Sequence, residues 1–291
     1  MNELGLVPLK GRAILRIGGE ERFGFLQNLV SGDLNAVERG RAIWSALLTP
    51  QGKYLFDFFL YPHRDGILLD TESERSADLV RRLTLYRLRA KVTIEDLSDG
   101  LQVHALIGTG AGRVMGLPGE RGSCRSDNVS VAAVDPRVAE LGIRLIGQGA
   151  PAVPDAEAAP FNAWDRLRLA HGVPDGTRDL VVDRTTLLEA GFDELGGISF
   201  DKGCYVGQEL TARMKYRGLL KKRLFPVKTE DADLPEAGTP VMDDKGAEVG
   251  EQRSSCGPLG LALLRIERAD GPLEVAGRRI GVQRPAWLAA A

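Results

Sequence analysis

From Leu224 onward the chain breaks into short Val-, Ile- and Leu-bearing runs separated by tight-turn residues. Asp243-Asp244-Lys245-Gly246 and Ala276-Gly277-Arg278-Arg279 carry the residue types that hairpin turns demand, because such turns need a left-handed backbone at their centre. Gly260-Leu261-Ala262-Leu263-Leu264-Arg265-Ile266 is the most apolar of these runs. Short strands leave unpaired edges unless the sheet closes on itself, so the pattern predicts a small β-barrel over residues 223–291. No period indicates a repeat array.

Residues 1–222 mix helical and extended patterns, which makes the chain α+β. Ala13–Ile17 reads as a first strand, and Phe23, Leu26, Leu29 and Val30 then recur at helical spacing until Gly32. Ala46–Leu48 and Tyr54–Tyr61 form a hairpin whose turn geometry comes from Pro50 and Gly52. Thr71-Glu72-Ser73-Glu74 fits a capping box opening a helix with Ala77, Val80, Leu83 and Tyr86 inward. Its basic residues Arg81, Arg82, Arg87, Arg89 and Lys91 read as a solvated face. Strands are expected at 92–94, at 103–107, along the alternation Val129, Val131, Ala133, and at 143–146. The glycines at 108, 110 and 112 miss the dinucleotide-binding spacing, since its third glycine falls on Arg113. Gly147–Pro160, rich in Gly, Ala and Pro, reads as a connector between two α+β halves. Asn162 then caps a helix with Trp164, Leu167 and Ala170 on one face, ending near Gly172 and Pro174.

Chemistry concentrates between Asp201 and Arg213. Cys204 is flanked by a cation, an amide and a carboxylate and framed by Gly203 and Gly207, which suggests a tight, exposed loop with close backbone approach. Phe200 and the apolar residues before it suggest an extended entry, and Glu209 with Arg213 an i, i+4 pair opening a short helix. A sulfur nucleophile or ligand acts as thiolate, and Lys202, Arg213 or a following helix N-terminus would favour that form; the alternative is a buried, inert cysteine acting as a small hydrophobe. Behind the loop, Arg213, Lys215, Arg217, Lys221, Lys222 and Arg223 crowd together, either as a solvated linker or as an anion contact. Tyr216 is the lone aromatic among them, which is too little to read as a nucleic-acid surface.

Lys202-Gly203-Cys204-Tyr205-x-Gly207-Gln208-Glu209, with Arg213 four residues on, resembles the signature of the YgfZ family. These are folate-binding relatives of the glycine cleavage system T-protein, an aminomethyltransferase. Gly18–Leu34, Tyr86–Val92, Trp164–Pro174, Leu195–Phe200 and Met214–Gly218 are similar to further family segments. The resemblance implies a T-protein-like folate-binding region over residues 1–222, followed by the C-terminal barrel. It implies tetrahydrofolate, or a one-carbon derivative, as cofactor and iron–sulfur client proteins as partners, with a link to tRNA modification. Cys204 would act as nucleophile, redox thiol or transient ligand beside Lys202, and Asp57 as a second reactive group. T-proteins carry a pair of aspartates where this chain has Phe56 and Asp57, so folate-dependent aminomethyl transfer is the alternative reading, with half its acidic pair gone. Trp164, Arg12 (where the family has a second tryptophan), Gln208, Glu209 and Arg213 would contact the folate. A flat indole suits a pterin because stacking supplies area without demanding charge, whereas the residues alone favour a plain core tryptophan at 164.

Composition bounds these readings. A formal charge of −2 argues against a general nucleic-acid binder, while allowing local basic patches. Cys124, Cys204 and Cys256 are odd in number, far apart and without a CxxC, which suits a reducing compartment and excludes a disulfide scaffold. His63, His104 and His171 lack ligand spacing, so no mononuclear metal site is expected. Met1–Lys10 has neither the basic start nor the apolar run of a secretory leader, and no segment is long and apolar enough to span a bilayer. The expectation is a cytoplasmic protein.

Overall fold

The ten-residue strand Tyr54–His63 is mostly apolar and buried on both faces, and a strand of that kind belongs inside a stack rather than on a surface. In the computed structural model, which describes residues 4–64, 66–127, 130–230 and 233–289, the chain forms two compact units. The first comprises Met1–Leu48, Leu55–Trp164 and Gly196–Val206; the second comprises Thr49–Tyr54, Asp165–Leu195 and Gly207–Ala291.

The first unit holds two sheets. One has five strands in the order Ile43–Leu48, Tyr54–His63, Gly66–Glu72, Arg12–Gly18, Thr93–Asp96. The other has six, in the order Ala156–Ala158, Leu4–Pro8, Gln102–Ile107, Ile143–Gly147, Val131–Val134, Cys124–Ser126. Side chains alternate along a strand, so Phe56, Phe58 and Leu60 share one face, packed with Leu26, Leu29, Leu79 and Leu83. Asp57, Phe59 and Tyr61 share the opposite face, where Arg144 reaches Phe59 and Tyr61 from the six-stranded sheet.

That second interface is ionic. Arg144 donates to Asp70 Oδ2 at 2.6 Å and to the Tyr61 hydroxyl at 3.0 Å. Arg12 Nε donates to Asp70 Oδ1 at 2.6 Å. Arg137 grips Asp135 through Nε at 3.0 Å and Nη2 at 2.8 Å. The Phe59 ring lies among these guanidiniums, 3.9 Å from that of Arg144 and 4.7 Å from that of Arg137. Burial alone would raise the Asp70 carboxyl, but Arg12 and Arg144 outweigh it and hold the group below the usual carboxylate range. Asp135 is depressed in the same way, burial being overcome chiefly by Arg137.

In the second unit the expected barrel closes with six strands in the order Lys222–Lys228, Leu259–Arg265, Glu248–Cys256, Pro240–Asp243, Leu273–Val275, Arg278–Val282. Phe225, Val241, Leu264 and Val275 fill it. Both expected hairpin turns are present, the second with Ala276 at φ 49° and Gly277 at φ 75°. Gly250 is obligatory, because a Cβ there would lie 2.3 Å from the Leu263 carbonyl oxygen. Arg168 anchors the preceding segment to the barrel, bonding Asp165 at 2.7 Å, Asp179 at 2.8 Å and Ser254 Oγ at 2.7 Å.

Several local expectations need correction. Thr71–Glu74 is not a capping box: Gly66–Glu72 is strand, the Thr71 hydroxyl bonds the Asp57 carbonyl, and the helix begins at Ser76. Sheet pairing of Thr71 with Ala13 outcompetes the local helix signal. That helix buries Leu79 and Leu83, and Ala77 is exposed. The expected connector contributes the strand Ala156–Ala158, parallel to Leu4–Pro8, and a strand at Leu4–Pro8 was not foreseen. The Phe161–Ala170 helix turns Trp164, Asp165, Arg168 and Leu169 inward and leaves Ala170 exposed, because a paired Arg–Asp set takes the place expected for alanine. The strand expected around Val131 runs Val131–Val134; Val129 lies outside the described residues.

Removing one partner from a buried ion pair leaves the other charge stranded, at a cost of about 3–5 kcal/mol. Asp70→Asn is therefore expected to destabilise the chain by about that amount in denaturant unfolding at neutral pH. The Asp70 carboxyl is depressed in the fold, so its contribution is present above the ordinary carboxylate pKa and lost as pH falls through the folded value. The gap between wild type and variant should accordingly narrow on acidification; a constant gap would contradict the assignment.

Candidate functional site

The Cys204 loop is held by its lead-in. Gly196 adopts φ 75° at the end of a turn, and 197–199 run on without regular structure, so no strand leads into Phe200. The hydrogen bonds of this segment go instead to residues 30–32. The Ser199 amide donates to the Ser31 carbonyl at 2.9 Å, and the Ser31 hydroxyl donates to the Gly197 carbonyl at 2.6 Å. Lys202 Nζ donates to the carbonyls of Val30 at 2.7 Å and Gly32 at 2.8 Å. It also lies 5.3 Å from the centre of the buried Tyr205 ring. Burial pushes the Lys202 ammonium down to about 8, against the smaller opposing pull of Asp33.

These contacts fix both sides of Cys204, which is itself exposed. A thiol presented to solvent on a pinned backbone can attack, exchange or ligate without the loop reorganising. The close backbone approach expected at Gly203 is absent, because a Cβ there would meet open space. Cys124 is a contrast: half-buried, its thiol is pushed up to about 12 by burial.

Asp57 and Arg12, expected near the cofactor, lie on the ionic face of the five-stranded sheet. Asp57 sits within its strand, and its Oδ2 accepts from the Trp44 indole N–H at 2.9 Å. Arg12 spends its guanidinium on Asp70. Phe56 is buried in the apolar core, with Arg75 4.2 Å above its ring. Trp164 is only 3% exposed and packs at 5.5 Å against Phe161, which is 42% exposed. The structure thus groups Lys202 with Cys204, and Asp57 with Arg12 on one sheet face. Gln208, Glu209 and Arg213 belong to the second unit, in the helix Gln208–Tyr216. Glu209 and Arg213 form no ion pair among the described residues.

Within the second unit the turn after Leu48 contacts the start of that helix. A Cβ on Gly52 would lie 2.6 Å from Leu210 Cβ and 2.7 Å from the Gly207 carbonyl oxygen. Sequence reasoning found this turn but not its partner, and it missed Trp44, Phe59, Asp70, Asp135, Arg137 and Arg144 altogether. The available signal was charge inside apolar strands, Asp70 in Gly66–Glu72 and Arg144 in Ile143–Gly147. Among the described residues no three His, Cys, Asp or Glu side chains cluster as a metal site, and no helix is long and apolar enough to cross a membrane.

Comparison with known proteins adds four findings. A family model described as the CAF17 C-terminal beta-barrel domain matches residues 221–290. The mitochondrial iron–sulfur cluster assembly factor IBA57 of Homo sapiens is 36% identical over 92% of this chain and 79% of its own length. Its counterpart in Mus musculus is 34% identical over the same shares. The glycine cleavage system aminomethyltransferase T of Bartonella henselae superposes with a TM-score of 0.80, covering 98% of this chain and 86% of that one at 16% identity. The fold is therefore that of aminomethyltransferase T, ending in a closed barrel.

Two outcomes test the loop. Near neutral pH, Cys204 should react with a maleimide on the order of tenfold faster than Cys124, and Cys204→Ser should abolish the fast phase. The unfolded chain binds more protons at Lys202 between about pH 8 and the ordinary value of 10.5. Relative to Lys202→Met, wild type should therefore gain unfolding stability as pH rises through that window; a flat difference would show the ammonium to be solvated.

Proposed function

This chain belongs to the family of the iron–sulfur cluster assembly factor IBA57, and we propose that it serves as an accessory protein in assembling or maintaining iron–sulfur clusters. This family is a relative of YgfZ, the one its signature loop resembles. The observation that carries the proposal is the exposed Cys204 on a loop pinned by Ser31, Ser199 and Lys202. A cluster is cargo in this reading. One thiolate supplies one ligand, so the remaining ligands come from the client protein. Unpaired cysteines support a reducing compartment; the relatives are named mitochondrial, and the cytoplasmic assignment rests on the sequence alone.

Tetrahydrofolate binding is the finer part of the proposal, supported by the aminomethyltransferase fold. The aromatic half of a pterin site fits: Phe161, partly exposed against the buried Trp164, offers a flat apolar surface. The polar half does not fit as expected, because Arg12 and Asp57 are already bonded to Asp70 and Trp44. Reduced folate, when bound, carries one-carbon units; the residues here would supply stacking area and exclude water. Aminomethyl transfer is disfavoured, since Phe56 lies in the apolar core where a second carboxylate would be needed.

Titrating tetrahydrofolate while following tryptophan emission is expected to give a saturable change that Phe161→Ala weakens by about tenfold. A flat titration removes folate and leaves the assembly role standing. In cells dependent on this chain, Cys204→Ser should lower iron–sulfur enzyme activities several-fold, about what loss of the chain does; unchanged activities would end the role of the thiol.

A further inference from the structure

The Gln208–Tyr216 helix buries Thr211 and half-buries Leu210, Ala212 and Met214, while Glu209, Arg213 and Tyr216 line its solvent side at i, i+4 and i+7. Tyr216 is 73% exposed, and Leu219, just beyond the helix end, is 44% exposed. Six cations fall between Arg213 and Arg223. Two are neutralised in place, Lys215 by Asp193 and Arg223 by Glu194. The remaining four, Arg213, Arg217, Lys221 and Lys222, are exposed and have no ion pair or side-chain hydrogen bond among the described residues.

Isolated exposed apolar side chains are ordinary, and so are isolated surface lysines. Two large apolar groups set among four unmatched positive charges, on a chain of net charge −2, are a different composition. It matches an interface with an apolar centre and a charged rim, in which rim charges steer encounter and apolar anchors hold. We propose that Arg213, Tyr216, Arg217, Leu219, Lys221 and Lys222 form a docking surface for an acidic protein segment carrying interspersed aromatic or aliphatic side chains. Single-stranded nucleic acid is the poorer match: it needs successive stacking platforms, and this surface has one aromatic ring beside an aliphatic Leu219 that cannot stack on a base. The proposal goes beyond cluster assembly and depends on neither folate nor the Cys204 thiol.

The test uses the full chain and a fluorescently labelled glutamate–tyrosine copolymer at physiological ionic strength, read by anisotropy, with polyglutamate and oligouridylate as comparison probes. Saturable binding of the copolymer is expected. The variant Arg213→Glu/Arg217→Glu/Lys221→Glu/Lys222→Glu should weaken it by about tenfold or more. Tyr216→Ala/Leu219→Ser should weaken it about threefold or more with the salt dependence retained. Unchanged far-ultraviolet dichroism and melting temperature establish that each variant folds. If the quadruple variant does not fold, the paired reversals Arg213→Glu/Arg217→Glu and Lys221→Glu/Lys222→Glu replace it, each with an expected loss of about threefold. Absence of copolymer binding, or binding that neither set of variants weakens, overturns the proposal. So does polyglutamate binding as tightly as the copolymer, which would leave the apolar groups without a role. Tighter oligouridylate binding that the charge reversals abolish would reassign the surface to nucleic acid.

Discussion

Asp70 is a fully buried carboxylate, and the first unit is arranged around keeping it charged. Its two oxygens are taken by arginines from two different sheets, Arg12 from the five-stranded sheet and Arg144 from the six-stranded one. An apolar interface could have joined the sheets with less desolvation. A charged one sets their register, because a slip of one residue would carry Arg144 to the other face of its strand and leave Asp70 short of a partner. Phe59 completes the arrangement by filling the space among the guanidiniums with a surface that attracts cations.

The same face carries Asp57, and there its chemistry is specialised. The Trp44 indole fixes the carboxylate oxygen Oδ2, while the neighbouring position, Phe56, packs into the apolar core beneath the Arg75 guanidinium. A fold shared with an aminomethyltransferase has thus been combined with an acidic group constrained by the core and with a separate, solvent-facing thiol. Fold likeness at 16% identity speaks for the scaffold, and the motif around Cys204 speaks for what the scaffold presents.

Legibility in the sequence followed the range of the interactions. The barrel was readable because its turns are local: Asp243–Gly246 and Ala276-Gly277 need no distant partner to bend. The helix after Cys204 was placed correctly, although the Glu209–Arg213 pair that signalled it does not form among the described residues. What escaped was set by contacts distant in the chain. Thr71 looked like a helix cap until Ala13 paired with it across the sheet. Arg12 looked available to a ligand until Asp70, 58 residues on, took it. Lys202 looked like a partner for the adjacent thiol, and its ammonium is committed to carbonyls some 170 residues upstream. Buried arginines were invisible for a simpler reason: periodicity counts charged residues as exposed, and Arg137, Arg144 and Arg168 are not.

Gly52 carries a consequence of its own. Its missing side chain is the clearance that lets the turn seat against Leu210 and the Gly207 carbonyl. A single added methyl would have to shove the helix aside, since backbone has nowhere to yield. Residue 52 therefore acts as a spacer whose thickness is read out some 155 positions later, at the end of the signature motif. Mutational damage to that motif can originate in a hairpin that shares none of its residues.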